Sequence, residues 1–109
     1  MLPKSRRLNL KTEFKSVSSG KRIETPSLTL FIKEDNIGHP LVGIATRKKS
    51  FKKAHERNAA KRVVATSFQE LYENLKPDLK IMVMPKDVVL TLSPQQVLNE
   101  LREVKELYR

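Results

Sequence analysis

The sequence predicts one α+β domain in which helices pack against a single β-sheet. The chain has 109 residues, which suits one compact domain, since domains cluster at roughly 100–150 residues. Hydrophobic residues make up 39% of the chain, enough for one modest core. Helical and extended patterns follow one another in the mixed order α-β-β-β-α-β-α. A strand–helix–strand unit within that order favours one sheet with helices packed on it.

The first four predicted elements lie in the first half of the chain. A short helix opens it, with Thr12 as a candidate N-cap and Gly20 just after the helix end. Three strands follow, recognised by their β-branched and aromatic residues and by the turn residues between them. These segments are Leu8–Val17 (helix), Ile23–Glu24, Ser27–Lys33 and Leu41–Thr46 (strands).

Two helices and a strand make up the second half. The long helix is expected to stop before Pro77, because a proline cannot continue it. The last helix has a strong start signal, with Ser93 at the N-cap, Pro94 at the first position and Gln96 completing a capping box. The segments are Ala54–Leu75 (helix), Leu79–Met84 (strand) and Pro94–Tyr108 (helix).

Positive charge is concentrated in the first part of the chain. The net charge is +10, and residues 1–62 contain 16 basic and 5 acidic residues, against 6 and 7 in residues 63–109. The densest window, residues 47–62, has eight basic residues and one acid. Such clustering causes self-repulsion that a polyanionic partner relieves, which indicates nucleic acid or an anionic membrane. The alternative is a solvated cationic face without a specific partner.

Four polar side chains fall on one stripe of the long helix, beside its apolar face, at 100° per residue. They are Arg57, Asn58, Lys61 and Arg62. Like charges four residues apart destabilise an isolated helix by about 0.2–0.5 kcal/mol, so phosphate binding explains the stripe better than stability does. It lies in the first turns, where backbone N–H groups attract anions. Asn58 can donate to a phosphate or a base edge, or it is an ordinary surface residue.

Two phenylalanines lie near the basic residues. Strand alternation puts Phe31 on the mixed polar face of the second predicted strand. Phe14 lies in the first helix, next to Lys15 and three residues before Val17. Aromatic rings beside cations suit stacking on unpaired bases, at about 1–3 kcal/mol per base. The alternative is that Phe14 packs the helix onto Phe31 as ordinary core.

The composition argues against several classes of protein. The chain has no cysteine, which excludes a disulfide scaffold and a thiolate metal site and fits a reducing compartment. The longest wholly apolar run, Ile81–Met84, is too short to span a bilayer. His39 and His55 have neither catalytic partners nor metal-ligand spacing. These residues therefore predict a binding protein with no catalytic side chains and no metal site.

The segment Gly43–Arg62 resembles the bacterial ribonuclease P protein component. That family has a glycine-containing strand end followed by two lysines, and then the pattern Ala-x-x-Arg-Asn-Arg-x-x-Lys-Arg. The matching residues are Gly43, Lys48, Lys49, Ala54, Arg57, Asn58, Lys61 and Arg62. The N-terminal part is similar as well, through Arg7-Leu8, Glu13-Phe14 and Gly20. The resemblance covers nearly the whole chain.

Three positions depart from the family pattern: Ala59, Ala65 and Ser18. The first two stand where the family has arginines, and the third stands where it has a second aromatic residue. These departures weaken the cationic face and the aromatic cleft. Affinity for RNA would then depend more on Lys48, Lys49 and Lys53.

The resemblance implies a two-layer α–β sandwich related to one domain of ribosomal protein S5, with residues 1–109 as a single RNA-binding domain. It implies the protein subunit of ribonuclease P, an endoribonuclease ribonucleoprotein that removes the 5′ leader from precursor tRNA. The RNA subunit with its Mg²⁺ would be the catalyst. The protein would bind no cofactor and lower the Mg²⁺ requirement. Its partners would be the ribonuclease P RNA and the precursor tRNA 5′ leader, in the cytoplasm, without a membrane or an obligate protein partner.

The resemblance also implies two binding sites. The catalytic RNA would contact Arg57, Asn58, Lys61, Arg62, Lys48, Lys49 and Lys53. The leader would lie in a cleft between the first helix and the sheet, which is lined by Phe14, Phe31, Val17 and Lys15.

Two other functions fit parts of the sequence. A small ribosomal or ribosome-assembly protein would bind structured RNA through the same charge, without any catalytic complex. A DNA-binding module would place the long helix in a major groove, but no helix precedes it at helix-turn-helix spacing. Sequencing the RNA that co-purifies with the protein would separate these functions from the first.

Overall fold

Seven regular elements follow one another in the predicted order, α-β-β-β-α-β-α. A computed structural model describes residues 2–108. The α-helices and strands are α1 (Leu10–Ser18), β1 (Lys21–Glu24), β2 (Leu28–Glu34), β3 (Leu41–Ile44), α2 (Ala54–Leu71), β4 (Leu79–Pro85) and α3 (Pro94–Arg102). Short 3-10 turns lie at Lys4–Arg6, Tyr72–Asn74, Asp87–Thr91 and Lys105–Leu107. Among residues 2–108, no helix combines the length and the apolarity needed to cross a membrane.

The four strands form one mixed sheet in the order β1-β2-β4-β3. β1 pairs with β2 and β2 with β4 in antiparallel fashion, whereas β3 and β4 are parallel and are joined through α2. The register places Met82 of β4 between Phe31 of β2 and Gly43 of β3. The predicted strand–helix–strand unit is therefore confirmed, and it brings the end of β3 and the start of α2 to one edge of the sheet.

The two faces of the sheet are covered differently. On one, here called the helix-covered face, Leu28, Leu30 and Ile32 of β2 are buried in the main core with residues of α2 and α3. The opposite face, here called the open face, carries the alternate residues of β2 and β4. There α1 and the segment before it pack around a small cluster of Leu8, Val17 and Met82. The α2 and α3 layer on the sheet confirms the predicted α–β sandwich.

The apolar stripe of α2 is confirmed. Ala60, Val64 and Leu71 are buried against the sheet, together with Phe68. The capping box of α3 is also present, since Ser93 Oγ accepts from the Gln96 amide at 3.3 Å and Gln96 Oε1 accepts from the Ser93 amide at 2.8 Å.

The start of α1 was predicted wrongly. The helix begins at Leu10, and its N-cap is Asn9, whose Oδ1 accepts from the Lys11 amide at 3.1 Å. Thr12 lies inside the helix, where its hydroxyl donates to the Asn9 carbonyl. Leu8 belongs to an extended segment because its amide donates to the Val42 carbonyl at 3.0 Å, beside β3. A strand edge with a free carbonyl thus competes successfully with helix formation.

The two other helices end earlier than predicted. α2 stops at Leu71 and continues as the turn Tyr72–Asn74, because the chain must leave the helix before Pro77. α3 stops at Arg102. Beyond it the backbone is extended at Val104, and the Leu107 carbonyl accepts from the Lys76 amide at 2.9 Å. This path buries Leu107 completely in the main core.

Candidate nucleic-acid interface

The loop between β3 and α2 presents its lysines around a buried anchor. Lys48, Lys49 and Lys52 are exposed, but Phe51 between them has no exposed surface and belongs to the main core. The Phe51 amide donates to the Arg47 carbonyl at 2.9 Å, which closes a turn over residues 47–51. A hydrophobic anchor inside a basic loop therefore fixes the path of its charged residues.

We call residues 47–62 the basic window, and its one acid caps the start of α2. Glu56 Oε1 accepts from the Lys53 backbone amide at 3.2 Å, so this carboxylate satisfies a helix-terminal N–H. The Lys53 side chain itself is exposed. Glu56 therefore stabilises the helix start and forms no ion pair with the lysines and arginines around it.

Arg57 differs from the rest of the predicted stripe. It is half-buried, and its Nη1 donates to the Phe51 carbonyl at 2.8 Å and to the Lys52 carbonyl at 3.3 Å. Asn58 and Arg62 are exposed, and Lys61 is half-buried. Arg57 thus has a structural contact that the sequence did not indicate, because its guanidinium holds the loop against the helix. Its part in RNA binding stays a prediction.

The charge of the basic window is not neutralised within the domain. Ion pairs form elsewhere, for example between Arg6 and Glu73 and between Lys21 and Glu106. Within residues 2–108, no lysine or arginine of residues 47–62 lies within 4.0 Å of a carboxylate oxygen. Eight cationic side chains of the loop and the first turns of α2 thus have no acidic partners within the described residues, as expected for a surface that binds a polyanion.

The open face of the sheet contains a cavity of about 630 Å³ beside this loop. Its lining combines side chains of β1, β2 and β4 with residues of the basic loop. It consists of Arg22, Thr29, Phe31, Arg47, Lys49, Ser50, Met84, Pro85, Lys86 and Asp87. We call it the open-face cavity. Lys49, predicted to contact the catalytic RNA, therefore lines the same cavity as Phe31, which was predicted for the leader cleft. The loop thus joins the two predicted sites.

The other three residues predicted for the cleft differ in their exposure and contacts. Phe14 on α1 is 44% exposed, which rules out an ordinary core role for it, but it does not line the open-face cavity. Lys15 is exposed on the same helix. Val17 has no exposed surface and packs with Met82, so it supports the cleft wall and offers no contact surface.

Polar contacts hold α1 against the open face. Lys80 on β4 is 9% exposed, and its Nζ donates to Asp35 at 3.0 Å and to Glu13 of α1 at 3.2 Å. Lys33 Nζ donates to Ser16 Oγ at 2.8 Å. The hydrogen bonds to Asp35 and Glu13 raise the pKa of Lys80 above its usual value. The hydrogen bond from Lys80, followed by that from the Asn36 amide, lowers the pKa of Asp35.

Sequence reasoning missed several residues of this site. Arg22, Met84 and Lys86 line the open-face cavity, and Lys80 fixes the helix beside it. Alternation along β4 carries part of the signal, since Lys80, Met82 and Met84 share one face and a lysine inside an apolar strand needs a partner. The acids that satisfy Lys80 come from α1 and from the turn after β2, which no local pattern indicates.

Comparison with known proteins places this architecture in a family. The family model described as Ribonuclease P matches residues 2–108. The ribonuclease P protein component of Blochmanniella pennsylvanica is 36% identical over 98 residues, which cover 89% of this chain and 78% of that protein. The corresponding protein of Yersinia enterocolitica is 32% identical over 84 residues, which cover 77% and 70%.

Solved structures agree on the fold. The RNase P protein of Staphylococcus aureus superposes with a TM-score of 0.81 at 19% identity, covering 97% of this chain and 100% of that one. The RNase P protein of Thermotoga maritima superposes with a TM-score of 0.81 at 20% identity, covering 94% and 97%. The matched family model and the identity to these relatives lead to one conclusion: the chain belongs to the ribonuclease P protein family.

Proposed function

We propose that this protein binds the catalytic RNA of ribonuclease P through its basic window and holds the 5′ leader of precursor tRNA in the open-face cavity. It would act in the cytoplasm as the RNA-binding subunit of a tRNA-processing endoribonuclease. One observation carries the proposal: within residues 2–108 the eight cations of residues 47–62 have no acidic partners, and two of them, Arg47 and Lys49, line a cavity that also contains a partly exposed aromatic ring. The first feature suits phosphates, and the second suits an unpaired base.

Phosphate contacts predict a strong dependence on salt. Each phosphate neutralised by a lysine or arginine releases condensed counterions, so the logarithm of the binding constant falls linearly with the logarithm of salt concentration. We expect this for the catalytic RNA, measured by filter binding between low and physiological salt. A binding constant that does not change over that range would contradict phosphate contacts by the basic window.

The open-face cavity suits a single strand better than a duplex. Phe31 supplies a ring for stacking, while Arg22, Arg47 and Lys49 supply cations around it. A single strand can splay its bases onto such a ring, whereas the bases of a duplex are already stacked. The leader of precursor tRNA is the part of that substrate that provides unpaired 5′ bases.

The leader proposal is tested by comparing two substrates. Phe31→Ala should weaken binding to precursor tRNA about 5-fold to 150-fold, the range for one lost stacking contact. Binding to mature tRNA, which has no leader, should change little. Phe14→Ala tests whether the leader also reaches the exposed ring on α1. An equal loss for both RNAs would show that Phe31 acts through packing.

The chemistry would reside in the RNA subunit. Residues 2–108 include no group of three or more His, Asp or Glu side chains that could hold a metal ion, so we assign none of them to Mg²⁺. The protein would act through charge. Ribozyme and precursor are both polyanions, and a protein of net charge +10 reduces the repulsion between them.

Cleavage assays test this division of labour. Protein free of RNA should not cleave precursor tRNA. Added to the RNA subunit transcribed in vitro, it should lower the Mg²⁺ concentration needed for half-maximal cleavage and help less as Mg²⁺ rises. Metal-dependent cleavage that stays with RNA-free protein through repurification would place catalysis in the protein instead.

A further inference from the structure

A second cavity, of about 490 Å³, lies between the N-terminal segment, β3 and α2. Its walls are mainly aliphatic: Leu2, Leu8, Leu10, Val42, Ile44 and Ala65. We call it the N-terminal pocket. The volume is within the range of about 300–1,000 Å³ that is usual for small-ligand sites. It can hold one nucleotide, but it cannot hold a helix.

All the charged residues that line the N-terminal pocket are cationic. Lys4, Arg7, Lys11 and Lys61 line it, and no acidic residue does. Within residues 2–108, none of these side chains pairs with a carboxylate, and only Arg7 is engaged, through Nε to the Leu2 carbonyl at 2.8 Å. An apolar floor under an uncompensated cationic rim complements a ligand with an apolar body and an anionic group.

The pocket is built by the backbone before any ligand arrives. The Leu8 amide donates to the Val42 carbonyl at 3.0 Å, which fixes the N-terminal segment beside β3. Gly43 allows this close approach, because a Cβ there would lie 2.8 Å from Leu10 Cδ2 and 3.2 Å from Leu8 Cβ. A preformed pocket binds without the cost of ordering its walls.

Asn9 adds a polar group at the same place. Its Oδ1 caps α1 by accepting from the Lys11 amide, and within residues 2–108 its side-chain NH₂ donates to no other group. Asn9 lines the pocket and is exposed. An amide donor beside an apolar floor can bond to the edge of a base, while the lysines bind its phosphate.

We propose that the N-terminal pocket binds one unpaired nucleotide of the RNA partner. The base would enter the aliphatic walls, Asn9 would contact its edge, and Lys4, Lys11 and Lys61 would bind the flanking phosphates. Lys61 also belongs to the predicted stripe of α2, so the pocket continues the basic window toward the N-terminus. The identity of the RNA rests on the proposed function, whereas binding of a nucleotide can be tested without it.

The first test is a methyl NMR titration of the full chain. Adenosine 5′-monophosphate should shift the methyl resonances of Leu8, Val42 and Ile44 saturably. Ribose 5-phosphate, which lacks the base, should leave them in place. Ala65→Met, which fills the floor, should abolish the response, whereas Thr66→Met on the exposed side of the same helix should retain it. Equal shifts with both ligands would overturn the proposal.

The second test measures affinity for the catalytic RNA. Ala65→Met should weaken it about tenfold, the effect of one lost base contact. Lys4→Gln at the exposed rim, which disturbs no core packing, should weaken it about threefold by removing one phosphate contact. Lys105→Gln, an exposed lysine that does not line the pocket, is the matched control.

The outcomes separate the two proposals. Unchanged RNA affinity in both pocket variants, with AMP still bound by the wild type, would make this a site for free nucleotides and overturn the RNA assignment. If the wild-type protein bound no catalytic RNA, the proposed function would fail, while the titration would still report on the pocket. Should Ala65→Met unfold the protein, Lys4→Gln alone decides.

Discussion

The two faces of the sheet are formed by the same strands but differ in how far their side chains are buried. In β2, Leu28, Leu30 and Ile32 point to the helix-covered face and are buried, whereas Thr29 and Phe31 point to the open face and are half-buried. The helix-covered face is closed by α2 and α3. The open face is only partly covered by α1, and the open-face cavity remains beside the basic loop.

Alternation along a strand therefore separates buried positions from positions that line the open-face cavity. Residues one position apart differ in whether their side chain meets packed protein or a cavity surrounded by cations. Substitutions on the helix-covered face should change the free energy of unfolding, and substitutions on the open face should change RNA binding. Four predictions test how far this separation extends, starting with the largest effect.

The largest effect is expected on the helix-covered face. Phe68→Ala in α2 removes a fully buried ring from the main core and should lower the free energy of unfolding by about 3–5 kcal/mol. Phe31→Ala, on the open face, should lower it by clearly less. Urea unfolding of both variants measures the difference. Similar losses would mean that the open face is as much a core as the other.

Gly20→Ala should disturb the boundary between the faces. A Cβ at this position would lie 2.3 Å from the Ile32 carbonyl oxygen, which is backbone and cannot rotate away. We expect a loss of about 1–3 kcal/mol in the free energy of unfolding and weaker leader binding, because α1 must move off the sheet. Ser19→Ala, one residue earlier and exposed, should stay within about 0.5 kcal/mol of wild type.

Two arginines of the basic window should differ in their effect on stability. Arg57→Ala removes the hydrogen bonds to the Phe51 and Lys52 carbonyls and should lower the free energy of unfolding by about 1 kcal/mol. Arg62→Ala, which is exposed, should leave it unchanged. Both should weaken binding to the catalytic RNA. Thermal unfolding and RNA titration of the two variants measure these effects. If both variants were as stable as each other, Arg57 would have no structural role.

The smallest expected effect concerns the pH dependence of stability and the Lys80–Asp35 contact beside α1. Because Lys80 lowers the pKa of Asp35, the stabilisation from this carboxylate is present above its ordinary pKa of 3.8 and is lost as pH falls through the lowered value. Asp35→Asn should therefore be less stable than wild type at neutral pH, and the difference should shrink in acid. Urea unfolding at several pH values measures this. A difference that grew as pH fell would contradict the role of the Lys80 contact.

Lys80 predicts a complementary loss of stability at alkaline pH. Its raised pKa means that its stabilisation is present below the ordinary value of 10.5 and is lost as pH rises through the folded-state value. Since Glu13 also accepts from Lys80, the Asp35→Asn variant should retain part of this alkaline loss of stability.

Local patterns predicted most of the fold. Element order, the apolar stripe of α2 and the α3 capping box depend on neighbouring residues, and the structure has all three. The errors occur where distant segments decide. Leu8 leaves the helix pattern to pair with Val42, and the chain turns after Arg102 so that Leu107 is buried. Hydrogen bonds between segments far apart in sequence override helical propensity at both positions.

The candidate site was predictable by residue type and less so by arrangement. Charge spacing identified the lysines and arginines of the window, and alternation identified Phe31. Neither pattern could show that Arg57 bonds to the loop backbone or that Lys49 lies with Phe31. Val17 illustrates the limit, since the family resemblance implied that it lines the leader cleft, although its side chain is fully buried.

The buried Phe51 has an entropic consequence for recognition. Ordering a loop costs about 1–2 kcal/mol per residue in backbone entropy alone. Here the hydrophobic anchor, the turn closed by Arg47 and the hydrogen bonds from Arg57 have already ordered it in the free protein. Contacts made by the exposed lysines at positions 48, 49 and 52 are therefore not reduced by that loss. If these lysines bind RNA as proposed, exchanging any of them should change affinity while the path of the loop stays the same.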